Sequence, residues 1–385
     1  MKIFNAKILT VNKDNDIIEN GWVELDNGKI SAIGTGACEY GSDDIDADGK
    51  TLTPGFIDAH THLGLMSSGV GIEGEDFNED TDPITPQLRV IDGINPMDIA
   101  FSDAYNAGVT AAAVAPGSTN PIAGEITALK TFGKRIDKMV IKPVGMKFSL
   151  GENPKMTYLD KDDSPATRMA IASLIREALT KAQRYSSDII KSQREPADYD
   201  EPEYDAKSEA LIPLLERKIK AHFHCHRADD IFTAIRIAKE FNLDYTLIHC
   251  TEGYLIADEL AEENATAVVG PIICGRNKPE LAKITPKNIV SLSNNSVKTA
   301  ICTDHAEVPI EYLSLSAGIA ARNGLSKTNA IRAITIIPAE ILGIDDRMGS
   351  IEVGKDADVL LFSNDPIGLN GVPDTVIING KIVKS

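Results

Sequence analysis

Apolar and polar side chains alternate along the first fifty residues. Lys2 to Val11 and Gly21 to Gly34 carry this period of two, with a turn at Asp26-Asn27-Gly28 between Val23-Glu24-Leu25 and Lys29-Ile30. That pattern predicts half-buried strands joined by a hairpin. The C-terminal end reads alike, with Ala357 to Phe362, then Val376 to Ile378 and Lys381 to Val383 around Asn379-Gly380. One small β-sandwich built from residues 1–52 and 351–385 is the economical expectation, clasping a central domain over 53–350.

The centre repeats differently. Short apolar runs at Leu52–Ala59, Thr110–Ala115, Pro143–Leu150, Lys220–Cys225, Tyr245–His249, Ala267–Ile273 and Lys298–Thr303 predict strands. Helical periodicity at Pro96–Ala107, Ile231–Phe241, Ile256–Glu263 and Lys327–Leu342 separates several of them. An eighth, indistinct strand falls somewhere in Glu125–Val140. Strand–helix alternation of this kind predicts an α/β fold with a parallel sheet, here an eightfold (β/α)8 TIM barrel. Such barrels carry their chemistry on the loops at the strand C-termini.

Two segments break the repeat. Gly64–Asn95 is a long Gly- and acid-rich stretch, and it leaves the first barrel strand directly. Pro165–Leu215 holds a long helix from Thr167 to about Lys191, a charged break, and a second helix. Insertions of this length are expected to be lids or binding elements.

Composition narrows the function classes. With 57 acidic against 39 basic residues the formal charge is −18, which disfavours a nucleic-acid partner and gives no attraction to anionic membranes. Five cysteines without a C-x-x-C pair, Cys225 and Cys302 in expected strands and Cys250 directly after one, argue for a reducing compartment rather than a disulfide framework. No run approaches a membrane span, and the expected location is cytoplasmic. A small-molecule substrate is the expected partner, with homo-oligomerisation left open.

The seven histidines carry the candidate chemistry. His60 and His62 sit i, i+2 at the end of Leu52–Ala59 and so share one face. His222, His224 and His226 repeat the spacing. His249 closes Tyr245–His249, and Asp304 closes Ala300-Ile301-Cys302-Thr303. A lone strand-end histidine is more often structural than a ligand. Six of seven at three strand termini, with a carboxylate at a fourth, are hard to assign to packing, because buried unpaired imidazoles are costly. This mixture of nitrogen and oxygen donors suits one or two divalent ions, zinc above all, with manganese or iron as alternatives.

Pro54-Gly55-Phe56-Ile57-Asp58-Ala59-His60-Thr61-His62 resembles the signature of the amidohydrolase superfamily. Pro338-Ala339-Glu340-Ile341-Leu342-Gly343 and Gly349-Ser350-Ile351-Glu352-Val353-Gly354-Lys355-Asp356-Ala357-Asp358-Val359 resemble its C-terminal motifs, as does Ile378-Asn379-Gly380-Lys381. The resemblance spans the chain and is nearest to imidazolonepropionase- and prolidase-like members. It implies that His60, His62, His224, His249 and Asp304 bind metal. It also implies a bridging group from the third or fourth strand, for which Lys147 and Glu152 compete. Lys147 would need carboxylation to lose its charge, so the balance falls to Glu152.

The implied activity is hydrolysis of a carbon–nitrogen bond, in an amide or cyclic amide of a small molecule, through activated water. Asp304 is the expected proton carrier, and His249, where not a ligand, an oxyanion stabiliser. Arg227, Arg276 and His226 are candidate substrate contacts. Asn120 is a turn residue before it is a contact. A mononuclear deaminase is the alternative, and an inactive binding relative ranks last because every expected ligand position is filled.

Overall fold

The computed structural model describes residues 1–385. The N-terminal alternation forms β1 (Lys2–Leu9), β2 (Ile17–Asp26), β3 (Lys29–Thr35), β4 (Ile45–Asp46) and β5 (Thr51–Pro54). β14 (Val359–Phe362), β15 (Thr375–Ile378) and β16 (Lys381–Lys384) come from the other end. The two sets share a single hydrogen-bonded sheet in the order β16-β15-β14-β5-β1-β2-β3, with β4 on β1. β5 and β14 make the antiparallel seam between the chain ends. Thirteen buried residues, among them Ile8, Leu52, Val359 and Ile377, give this unit its own core.

The expected strand Leu52–Ala59 is divided. β5 belongs to the terminal sheet, whereas β6 (Phe56–Thr61) opens the barrel. Gly55 lies between them, and a Cβ there would come within 2.1 Å of Thr110 Oγ1, so only glycine lets the chain pass so close to the next strand.

The barrel strands follow as β7 (Val109–Val114), β8 (Ile122–Lys130), β9 (Val140–Ser149), β10 (Lys220–Cys225), β11 (Tyr245–His249), β12 (Thr266–Val269) and β13 (Lys298–Ile301). Their order is β13-β12-β11-β10-β9-β8-β7-β6. The expectation of a wholly parallel barrel needs correction at the indistinct strand, since β8 runs antiparallel to both β7 and β9. The link between β7 and β8 explains this. Ala115 to Pro121 is too short for a crossover, which needs a dozen or more residues, and suffices for a reversal.

β6 and β13 are the ends of the sheet and are tied by other means. Asp304 N–H donates to the His60 carbonyl (3.2 Å) and His62 N–H to the His305 carbonyl (2.7 Å). Asp58, fully buried, accepts from Thr303 N–H (3.1 Å) and Thr303 Oγ1 (2.5 Å). At the other end of the strands, the expected helix Lys327–Leu342 breaks into Lys327–Arg332 and Ile336–Leu342. The break frees the Ala333 and Ile334 carbonyls, which accept from Ile301 N–H and Ile57 N–H. The largest core, 59 buried residues, packs the helices on the barrel.

The long helix runs Arg168–Arg194, capped by Thr167 accepting from Ala170 N–H. It packs on the helix Ala206–Leu215, with Tyr185 donating to Glu209 at 2.7 Å. Gly64–Asn95 lies along β8, pairing at Ile84–Ile122 and Arg89–Glu125. No helix is long and apolar enough to cross a membrane.

Candidate metal centre

Strand ends gather the histidines as the i, i+2 spacing requires, but two of the placements need special backbone. His249 and Asp304 both take left-handed conformations, with φ of 67° and 56°. Non-glycine residues in this region carry strain that the surrounding structure must hold in place. The register between β6 and β7 slips between Asp58 and Thr61, at the bulge that presents His60.

Two donor groups result, His60 with His62 and Asp304, and His224 with His226 and His249, each with ligand atoms within 4.8 Å of one another and all buried. Asp304 Oδ1 lies 3.5 Å from Nε2 of both His60 and His62. His224 and His249 meet edge to face at 4.5 Å between centroids, and His226 stacks on His249 at 4.6 Å. Lys147, fully buried on β9, brings Nζ to 3.1 Å from His60 Nε2.

Outer partners aim these rings. His62 Nδ1 is 2.8 Å from the Ala115 carbonyl and His249 Nδ1 2.7 Å from the Gly270 carbonyl. A carbonyl only accepts, so Nδ1 is the protonated nitrogen in both and Nε2 keeps its lone pair. His224 Nδ1 meets Ser118 Oγ at 2.9 Å and His226 Nδ1 meets Thr251 Oγ1 at 2.7 Å. Nε2 of His224, Nε2 of His226 and Oδ1 of Asp304 are buried without a hydrogen-bond partner. Buried polar atoms left in this state call for an ion or a substrate, and imidazoles fixed through their far nitrogen are the arrangement of metal ligands.

Protonation suits the same role. Burial, reinforced by Lys147, pulls His60 well below the ordinary imidazole value, and burial does the same to His224 and His226. Burial brings His249 to about 4. Burial works against ionisation of Asp304, but His249 and His62 outweigh it and leave the carboxyl below its ordinary value. Neutral imidazoles and an ionised carboxylate are what a divalent ion binds. Burial also lowers the Lys147 amine to about 8.

Lys147 and Glu152, the two candidates for a bridging group, lie in different surroundings, with Lys147 beside His60 and Glu152 turned away from both donor groups. Glu152 begins the helix Glu152–Leu159, and its carboxylate accepts from Glu280 N–H at 3.2 Å, while its own N–H donates to Glu280 Oε2 at 3.1 Å. It belongs to neither donor group. A strand-end position fixes where a backbone lies, and here the helix start carries the side chain off toward the loop after β12.

The expected arginine clamps also lie elsewhere. Arg227 forks onto Asp229 at 2.9 Å from a half-exposed position, and Arg276 donates to the Ile284 carbonyl from the surface. Neither lines the cavity of about 570 Å³ at the barrel mouth, which His62, His224, His226 and Asp304 do line. His226, expected as a substrate contact, stands within the second donor group. Phe77 of the Gly64–Asn95 segment packs on His62 at 5.5 Å and lines the same cavity. Asn120 anchors that segment, donating to the Glu79 carbonyl and to Thr85 Oγ1, consistent with its reading as a turn residue.

Sequence reasoning missed two residues of the centre. Glu280 is buried beside the second group, with Oε1 3.4 Å from His226 Nε2 and 3.8 Å from His224 Nε2. Lys278 reaches the same oxygen at 2.8 Å and lines the cavity. Nothing in Lys278-Pro279-Glu280 marks it as chemical. Only its place after β12 hinted at the mouth.

This barrel with its histidine-rich mouth has counterparts among known proteins. A profile of the amidohydrolase family matches residues 51–383, and the chain belongs to that family. An amidohydrolase structure from Thermotoga maritima MSB8 is 38% identical, with 99% of each chain covered and a TM-score of 0.95. The amidohydrolase tasK of Hapsidospora irregularis is 29% identical over 394 residues; the match takes in 94% of this chain and only 39% of that longer protein. The imidazolonepropionase of Fusobacterium nucleatum subsp. nucleatum is 24% identical over 434 residues, covering 97% of this chain and 94% of its own.

Proposed function

We propose that this chain hydrolyses an amide or cyclic amide bond of a small molecule at a pair of divalent ions, zinc foremost. The single observation that carries this reading is the pairing of two buried donor groups beside one buried lysine. His60, His62 and Asp304 would hold one ion, and His224 and His249 the other. Lys147 would join the two as a carbamate. The ammonium would first lose a proton, and the neutral amine would then attack carbon dioxide, forming a nitrogen–carbon bond and breaking one carbon–oxygen π bond as a second proton leaves, so that a cation becomes the anion a bridge requires. Burial favours this by lowering the amine to about 8, which keeps a neutral fraction available.

Bound ions would supply Lewis-acid polarisation of the scissile carbonyl and a water acidic enough to attack near neutral pH. Asp304 is held ionised at the cavity wall and is placed to take the water's proton and return it to the leaving nitrogen. His249 keeps its Nδ1 on Gly270 and directs Nε2 inward. A cavity of about 570 Å³ is the size for a small substrate. The likeness to an imidazolonepropionase supports a cyclic amide among the compounds to try.

The test combines elemental analysis with a substrate screen of N-acyl amino acids, dipeptides, cyclic amides and aminated heterocycles. Close to two ions per chain and cleavage of an amide are expected. A single ion per chain, with ammonia released from an aminated ring, would overturn the reading in favour of a deaminase.

A further inference from the structure

The two donor groups differ in charge. His60 and His62 have Asp304 with them, whereas His224, His226 and His249 are three neutral imidazoles. A dication held by these three neutral nitrogens would have no anion of its own beyond the bridge proposed for Lys147, which it would share with the first ion, and buried charge is tolerated only when compensated. The nearest buried carboxylate is Glu280, whose side chain is 1% exposed. Its Oε1 has no hydrogen-bond partner of good geometry, and neither have Nε2 of His224 and Nε2 of His226. Three buried lone-pair atoms, of which only Oε1 has an ion-pair partner in Lys278, thus face one another across 3.4 and 3.8 Å. Ligands about 2.1 Å from a tetrahedral ion stand roughly 3.4 Å apart, so a single ion fits between them.

We propose that Glu280, delivered by the loop after β12, is an anionic metal ligand that completes a site with His224 and His226. The inference rests on the proposed metal-dependent function and extends its ligand set beyond the residues that the sequence pointed to. Two features hold Glu280 for this task. Its other oxygen accepts from Glu152 N–H at 3.1 Å, and its own N–H donates to Glu152 at 3.2 Å, a reciprocal clasp that fixes the carboxylate's direction. Lys278 sits 2.8 Å from Oε1 and can remain there, because a carboxylate oxygen has two lone pairs. The clasp also gives Glu152 a role, as the residue that orients Glu280. A site with this extra oxygen donor would accept manganese as well as zinc.

Two measurements test this on the full-length protein. In a zinc-loaded crystal, anomalous scattering should show an ion within about 2.0–2.2 Å of both Glu280 Oε1 and His226 Nε2. Competition with a chromophoric zinc chelator should show Glu280→Gln, which keeps the shape and loses the charge, binding one ion at least about 10-fold more weakly while the other is unchanged. Ions at His60, His62 and Asp304 and at His224 and His249, with Glu280 still paired to Lys278 alone, would overturn the proposal and leave the proposed function standing. The absence of any ion after zinc loading would overturn both.

Discussion

Nζ of Lys147 stands 3.1 Å from Nε2 of His60 where neither residue has any exposed surface. An ammonium gains little from a neutral imidazole and loses all hydration there, which is why burial brings it down to about 8. Under the proposed function, a carbamate on this nitrogen would replace the buried cation with an anion.

From this we expect Lys147→Ala to lose about one of two ions and to reduce kcat/KM by at least about 100-fold, the scale on which metal activation operates. Glu152→Ala should keep its ion at His60, His62 and Asp304, since its carboxylate lies with Glu280. Elemental mass spectrometry of the two variants decides it, and equal ion loss at the first group in both would refute the assignment.

Asp304 is the one carboxylate in contact range of three histidines, His60 and His62 at 3.5 Å and His249 at 4.0 Å. Asp304→Asn preserves its shape and removes the proton acceptor. The expected loss in kcat is about 10²–10⁴-fold, in the range of general acid–base catalysis. Steady-state kinetics at saturating metal would show it, and a change confined to KM would count against the role.

Asp356 joins the terminal sheet to the barrel. It accepts from Lys29 at 2.6 Å and Arg347 at 2.9 Å and pairs with buried Lys130 at 3.0 Å. Burial opposes its ionisation, but Lys130 first, then Lys29 and Arg347, prevail and set it below the ordinary 3.8. A carboxylate depressed in the folded state contributes stability above its unfolded value and loses it as pH falls through the folded one. Asp356→Asn should therefore cost about 2 kcal/mol at pH 7. The gap from wild type should narrow below about pH 4. Denaturant titrations at pH 7 and pH 3 measure this, and a gap that widens in acid would contradict it.

Metal removal should destabilise the whole chain, because an ion that binds only the folded state stabilises it by mass action, about 2.7 kcal/mol at a hundredfold excess over its dissociation constant. Dialysis against a chelator should lower the melting temperature by several degrees, and zinc should restore it. An unchanged melting temperature alongside complete metal loss would mean that the donor groups are rigid without ions.

Much of this protein can be read along the chain. The period-two ends, the H-x-H pairs at strand termini and the motifs around Gly55 and Asp356 are local patterns, and a local pattern fixes secondary structure and the face on which a side chain lies. Those patterns were enough to expect a barrel, a β-unit drawn from both ends and a ring of imidazoles at the mouth. The seven residues between β7 and β8 even held the sign of the inverted strand, because no crossover helix fits in them. Other decisions depend on residues far apart in sequence. Asp58 and Thr303 meet across 245 positions to close the barrel. The left-handed turns at His249 and Asp304 exist only because neighbouring strands hold them there. Whether Lys147 or Glu152 faces His60, and whether Glu280 reaches His226, turns on the path of a loop that returns 128 residues later to clasp Glu152. Periodicity reports the side of a strand, and only packing reports which groups from distant strands arrive within bonding distance.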